Sequence, residues 1–325
     1  MSLLTATLVL ALLSQHSTPT TALQDTTEIP LQASLQASSN ATVGFGAQED
    51  EESLKGFFLG IITQADRTDN RKAIRSTWLK SFVKRGVDYR FFIGKDGLER
   101  EAQKRAEDEG DVVLLPFVDS YANLTRKTTL AANWTAEYMT LDYFVKVDDD
   151  VYLTVGGFTR IAQHLPEREL YTGSIVYNGF IWPIGKWALP QRFRDMFPSG
   201  SYPDYAEGPT YILSADALTL LAASRNDGLL DEELFPFEDI NSCLVLKRHG
   251  IHPTSMHDLG LKMHFMISDH GPGDHVSWGE DRNCSLDYIV YHSVNAAAMK
   301  KTGRAETLQG AAGVKETLCQ PIGDS

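Results

Sequence analysis

The sequence predicts an α/β fold, a mostly parallel sheet flanked by helices, on three observations. Between residues 56 and 147, short apolar runs alternate with longer amphipathic or charged stretches in the order β-α-β-α-β-α-β, which is the pattern of a parallel sheet with helices on both faces. The short runs are continuously apolar, as buried strands are. The chain has 325 residues, 42% of them hydrophobic, enough for a core larger than that of one small domain.

The elements follow in order. Residues 56–64, GFFLGIITQ, read as the first strand. Residues 69–83, DNRKAIRSTWLKSFV, read as one helix. Asp69 or Asn70 caps it, and Ile74, Trp78 and Phe82 recur on one face. DYRFFIG (88–94) is the second strand, and LEREAQKRAEDEG (98–110) a charged helix stopped by Gly110. DVVLLPF (111–117) is the third strand, LTRKTTLAANWTAEYM (124–139) the helix after it, and DYFVKV (142–147) the fourth strand. Further on, Glu238 and Asp239 open a helix ending in Lys247-Arg248-His249-Gly250. Acids first and bases last is ordinary helix-dipole chemistry and explains those charges by itself.

The fourth strand runs straight into Asp148, Asp149 and Asp150. Ligands bind at the carboxyl ends of strands in open α/β sheets. In an extended backbone Asp148 and Asp150 point one way and Asp149 the other. Two carboxylates on one side repel unless a cation lies between them, and oxygen ligands suit Mg²⁺ or Mn²⁺. A solvated acidic loop is the competing explanation.

Composition narrows the partners. Thirty Lys and Arg against 43 Asp and Glu leave a net charge of −13 with no basic stripe, which excludes nucleic acid as the expected partner. An acidic chain binds a phosphorylated small molecule only through local cations or a metal. Residues 1–22, with an apolar core from Leu3 to Leu13, read as a signal peptide or truncated signal anchor, too short for the roughly 20 residues of a membrane span. Residues 23–54, rich in Ser, Thr, Gln and Ala, read as a flexible stem, 55–300 as the catalytic domain and 301–325 as a tail. Glycosylation sequons at Asn40, Asn123, Asn133 and Asn283 agree with entry into the secretory pathway. The three cysteines, Cys243, Cys284 and Cys319, are too few for a disulfide scaffold.

Several segments together resemble one family, the β-1,3-galactosyltransferase-like group, glycosyltransferase family 31. They are NRKAIRSTW, DSYANLTRKT, VKVDDDVYL, KW followed by YPDYAEGPTYILSADAL, FEDINSCLVLKRHGI, and CSLDYIVYHSVNAAAM. The resemblance covers about residues 55–300 and six segments in the family's order. The last segment is most similar to members that extend the proteoglycan linker. Gly208-Pro209-Thr210-Tyr211 replaces the family's Gly-x-Gly-Tyr, EDI replaces EDV, and residues 257–276 match nothing in it. These departures fall on the acceptor side.

The resemblance implies a GT-A glycosyltransferase fold and a UDP-sugar donor held with Mn²⁺ in the Golgi lumen or secretory pathway. The expected reaction is inverting transfer of galactose from UDP-galactose to a glycan or glycoprotein acceptor, with membrane contact only through the N-terminal anchor, if one is kept. It implies Asp150 as the direct metal ligand with Asp148 beside it. Asp148 and Asp149 shape the donor-sugar site, and His292, in the strand-like YIVYHSV, completes the metal set. A histidine in such a run is otherwise a packed core residue. Arg71 and Arg75, four apart on one helix face, and Asn123 and Lys127 are expected to meet the nucleotide. For the arginines, a solvated cationic face or a salt bridge explains the same spacing. Asp239 is implied as the general base on the acceptor hydroxyl, with Glu238 as the alternative. Lys186, Trp187, Tyr202, Tyr205 and Tyr211 are expected to build a sugar platform, or else are core aromatics. Cys243 and Cys284 either pair or stay as free thiols.

Three further readings stay open. One is a related transferase that uses UDP-N-acetylhexosamine. The second is a non-catalytic sugar-nucleotide-binding relative. The third is a metal-dependent phosphatase, although its Asp-x-Asp follows a first strand and here three strands precede it.

Overall fold

The computed structural model describes residues 53–224, 235–262, 264–268 and 288–309. The expected leader, most of the stem, Cys284, Cys319, and the sequons at Asn40 and Asn283 lie outside the described residues. No helix among the described residues is long and apolar enough to cross a membrane.

The first half follows the expected alternation. It runs β1 (Phe57–Ile62), α1 (Thr68–Ser76), α2 (Leu79–Lys84), β2 (Asp88–Asp96), α3 (Arg100–Asp108), β3 (Val112–Val118), a 3-10 turn (Tyr121–Asn123), α4 (Leu124–Tyr138) and β4 (Tyr143–Asp148). The single helix expected over 69–83 is two. Ser76 Oγ and Thr77 Oγ1 both donate to the Ala73 carbonyl, at 3.0 and 2.6 Å, and such back-bonding competes with the helical ladder. Ile74, Trp78 and Phe82 are buried on one side all the same. Asp69 and Asn70 lie inside the first turn and do not cap it; the position before the helix is Arg67.

After β4 come β5 (Tyr152–Leu153), α5 (Val155–Ala162), β6 (Tyr171–Val176), α6 (Gln191–Arg194), β7 (Tyr205–Ser214), α7 (Ala215–Ala223) and α8 (Glu238–Arg248). β8 (His264–Ser268), β9 (Tyr288–His292) and α9 (Ala296–Gln309) complete the chain. The main sheet has six strands in the order β3-β2-β1-β4-β7-β6. β1 pairs in parallel with β2 and β4, and β2 with β3; β7 is antiparallel to β4 and β6. A second sheet, β5-β9-β8, has three. One apolar cluster lies between the sheet and α1, α2 and α5, and another between its opposite face and α4, α7 and α8.

The sheet interior is tight where the site begins. A Cβ on Gly60 would come within 2.5 Å of the Phe144 ring, so β1 and β4 approach this closely only with glycine there. Leu54 is buried in the core, and α9 continues beyond residue 300 with Met299 and Thr302 buried.

Candidate active site

Strand β4 delivers the acidic run to the edge of the core. Phe144, Lys146 and Asp148 share one face by strand alternation. The backbone then turns, and Val151 N–H donates to the Asp148 carbonyl at 3.3 Å. The extended path expected through the three aspartates is thus replaced by a turn, yet the carboxylates still divide. Asp149 points back to the first helix. Its Oδ2 accepts from Thr63 Oγ1 at 2.6 Å and its Oδ1 from Arg67 Nη2 at 3.2 Å, while Asn70 Nδ2 donates to its carbonyl at 3.0 Å. Asp149 therefore fastens β4 to α1, and both its carboxylate oxygens have partners within the chain.

Asp148 and Asp150 are left to act on each other. Asp148 Oδ1 accepts from Lys146 Nζ at 2.6 Å. Asp150 Oδ1 stands 3.7 Å from His292 Nε2. The second sheet brings His292 there: Tyr152 pairs with Tyr291, and Val294 N–H donates to the Asp150 carbonyl at 2.7 Å. Burial pushes the Asp148 carboxyl up to about 7; Lys146 pulls it down and Asp150 adds repulsion. Burial raises Asp150 too. A cation would relieve both.

Among the described residues no three His, Cys, Asp or Glu side chains converge to cage a metal ion. Asp150 and His292 instead form an open edge with one carboxylate and one imidazole. That donor set fits a divalent ion that leaves most of its positions to a ligand's oxygens. Asp148 has one oxygen held by Lys146, so only its other oxygen is available to such an ion.

A second acidic pair opens α8. Glu238 is fully engaged: Oε1 accepts from Tyr211 Oη at 2.6 Å and Ser242 Oγ at 3.3 Å, and Oε2 is 3.5 Å from Lys146 Nζ. Asp239 differs. Its Oδ1 accepts from Ile240 N–H at 2.8 Å, and among the described residues nothing donates to Oδ2. Burial, then the Glu238 charge, pushes Asp239 up to about 7. Such a carboxylate exchanges a proton near neutrality, the property of a general base.

Three of the expected nucleotide contacts, Arg71, Arg75 and Lys127, stand in internal ion pairs. Arg71 is buried, with Nε and Nη2 on Glu109 at 3.0 and 2.7 Å and Nη1 on the Gln64 carbonyl at 2.6 Å. Arg75 is engaged by Glu109 at 2.5 Å and Asp111 at 2.6 Å and packs over the Phe91 ring at 4.5 Å. Neither is the free phosphate fork its helical spacing suggests. They line a cleft of about 530 Å³ between α1 and α3. Lys127 is buried too, donating to the Thr63 carbonyl at 2.5 Å and paired with Asp119 at 2.6 Å. Asn123 turns its amide to the Val118 carbonyl at 2.8 Å. An exposed cation beside the acidic turn is Arg67, whose side chain is 46% exposed. Sequence reasoning missed it, because nothing in the local pattern sets it apart.

The aromatic set also divides. Tyr202 and Tyr211 are buried, so they belong to the core rather than to a sugar platform. Tyr205 is half-buried against Tyr202, 6.4 Å between ring centres. Trp187 is exposed, 6.2 Å from Phe237 and 6.0 Å from Tyr121. Lys186 Nζ sits 4.4 Å from the Trp187 ring and 5.1 Å from that of Tyr121. Tyr121, another residue sequence reasoning missed, has its hydroxyl pushed up by burial and by Asp239 and Asp148, so it stands within electrostatic reach of both acidic motifs. Cys243 is a buried free thiol with Sγ 3.1 Å from the Asp204 carbonyl; Cys284, the other half of the pair left open by the sequence, lies outside the described residues.

The family model described as galactosyltransferase matches residues 69–257. The chain is 32% identical to hydroxyproline O-galactosyltransferase GALT5 of Arabidopsis thaliana, over 57% of this chain and 28% of that protein. It is 30% identical to beta-1,3-galactosyltransferase 1 of Mus musculus, over 62% of this chain and 63% of that protein. The chain thus spans less than two thirds of the length of either relative. Among solved structures it is similar to a glycosyltransferase involved in glycosylation of the major capsid of PBCV-1, with a TM-score of 0.39, 15% identity, and coverage of 76% of this chain and 98% of that one.

Proposed function

Because the chain belongs to the galactosyltransferase family, we propose that it transfers galactose from UDP-galactose to a hydroxyl of a glycan or glycoprotein acceptor, inverting the anomeric carbon and forming a β-1,3 linkage. The observation that supports the reading is the different surroundings of two acidic motifs. Asp150 and His292 form an open edge at 3.7 Å, and Asp239, at the start of α8, presents a carboxylate oxygen with no donor among the described residues. Asp150 and His292 would hold Mn²⁺, which when bound neutralises charge on the leaving diphosphate.

The chain's own residues do the rest. Asp239 accepts the proton of the attacking hydroxyl. The new carbon–oxygen bond forms as the bond to the diphosphate breaks and its electron pair leaves with UDP. Glu238, already held on three sides, keeps Asp239 in a raised range rather than competing for the proton. Trp187 and Tyr121 offer aromatic faces to the apolar side of a pyranose, with Lys186 between them. The apolar leader and the sequons support a secretory or Golgi lumen.

The protein is incubated with Mn²⁺ and a panel of UDP-sugars, and UDP release is followed with and without galactose-ended acceptors. Acceptor-dependent release from UDP-galactose is expected. Release from UDP-N-acetylhexosamine alone replaces the donor, and UDP binding without turnover with any donor leaves a non-catalytic relative.

A further inference from the structure

A lysine in the middle of a buried strand is costly unless every proton of its ammonium finds an acceptor. Lys146 is such a residue. It is fully buried on β4, paired in register with Gly60 on β1 and Tyr211 on β7. Its Nζ reaches the end of its own strand and two other segments: Asp148 Oδ1 at 2.6 Å, Glu238 Oε2 at 3.5 Å, and the Gly208 carbonyl. The first belongs to the acidic turn, the second to the start of α8 and the third to β7. Glu238 is held from its other oxygen by Tyr211 and Ser242, so the chain of contacts is closed. Gly208 completes the junction, since a Cβ there would stand 3.5 Å from Glu238 Oε2 and 3.6 Å from Asp239 Oδ2.

We infer that Lys146 is a positioning residue whose ammonium clamps the acidic turn of β4 to the start of α8, fixing the separation between the donor-holding carboxylates and the Asp239 base. This rests on the reading that Asp150 serves the donor and Asp239 the acceptor. The Asp150–His292 edge is held independently of Lys146, because the Asp150 carbonyl accepts from Val294 N–H, just past the end of β9. Loss of the clamp therefore leaves nucleotide binding in place and lets Asp239 drift from the reacting hydroxyl. A displacement on the order of 1 Å lowers transfer about a hundredfold.

The test compares parent, Lys146→Met, and the double variant Lys146→Met/Glu238→Gln. The single variant strands the half-buried Asp148 and the buried Glu238 and folds poorly if charge balance is all that Lys146 supplies; the double variant removes the cation and its α8 partner charge together. Calorimetry with UDP and Mn²⁺ counts competent sites in each preparation, so rate per site is read even from a partly folded sample. The expected result is a UDP dissociation constant within about threefold of the parent and kcat per site down about tenfold to a hundredfold in both variants. Parental kcat per site in either variant overturns the inference and leaves Lys146 a charge-balancing core residue. A parent that binds UDP and Mn²⁺ but transfers to no acceptor sinks the proposed function instead, before any variant is compared.

Discussion

Replacing Asp239 by asparagine isolates the step assigned to it. Asparagine keeps the shape, and its Oδ1 still accepts from Ile240 N–H, the bond seen at 2.8 Å, so α8 keeps its first turn. What disappears is the basic oxygen. General-base catalysis contributes roughly 10²–10⁴-fold, equivalent to about 3–5 kcal/mol of barrier, and transfer should fall by at least about a hundredfold. The structure also sets a pH dependence. With Asp239 pushed up to about 7, roughly a tenth of the molecules carry the basic form at pH 6 and about nine tenths at pH 8. The parent rate should rise about tenfold over that interval, and the residual rate of the variant should not follow it. Folding stability gives an independent reading. A carboxyl whose folded value is raised makes the native state bind more protons than the unfolded chain, so its contribution falls as pH rises from the ordinary carboxylate range to about 7. The variant should therefore gain thermal stability relative to the parent between pH 5 and pH 8. The assay is transfer rate and melting temperature at each pH. A variant that transfers at close to the parent rate, or a parent profile flat from pH 6 to pH 8, refutes the base assignment.

Three further outcomes follow from the site. Arg67→Ala should weaken UDP binding in the presence of Mn²⁺ by about tenfold with an unchanged melting temperature, because a half-exposed ion pair adds little to stability. Arg75→Ala should do the reverse, leaving affinity intact and costing about 2–3 kcal/mol, since Glu109 and Asp111 lose a charged donor; denaturant melts beside calorimetry separate the two, and the opposite pattern restores Arg75 to the nucleotide. Excess EDTA should abolish transfer and readdition of Mn²⁺ restore it, and full turnover in chelator removes the metal from the account.

The strands β1 to β4 and the helices between them were legible because local periodicity encodes them: six buried residues in β1, and Ile74, Trp78 and Phe82 buried at helical spacing. The opening of α8 at Glu238 was legible from the acids at its start and the bases at its end. The antiparallel strands β6 and β7 were not, since nothing local in Tyr205–Ser214 specifies its pairing with β4. The arginines were misplaced because the acids that claim them, Glu109 and Asp111, are 34 to 38 residues away in the chain. Lys146 stood in view as a single charge inside an apolar run. Its meaning depends on Glu238 and Gly208, which only the fold brings to it. Tyr211 looked like a sugar-stacking aromatic and is a buried hydrogen-bond donor to Glu238.

The central claim, that one acidic motif serves the donor and the other the acceptor, is tested most directly by calorimetry of UDP with Mn²⁺ on Asp150→Asn beside Asp239→Asn. Asp150→Asn should lose nucleotide affinity by about a hundredfold or more, as expected for removal of a direct metal ligand, while Asp239→Asn binds within about threefold of the parent, having lost only a group that acts on the acceptor proton. Parental affinity in Asp150→Asn, or an equal loss in Asp239→Asn, contradicts the division.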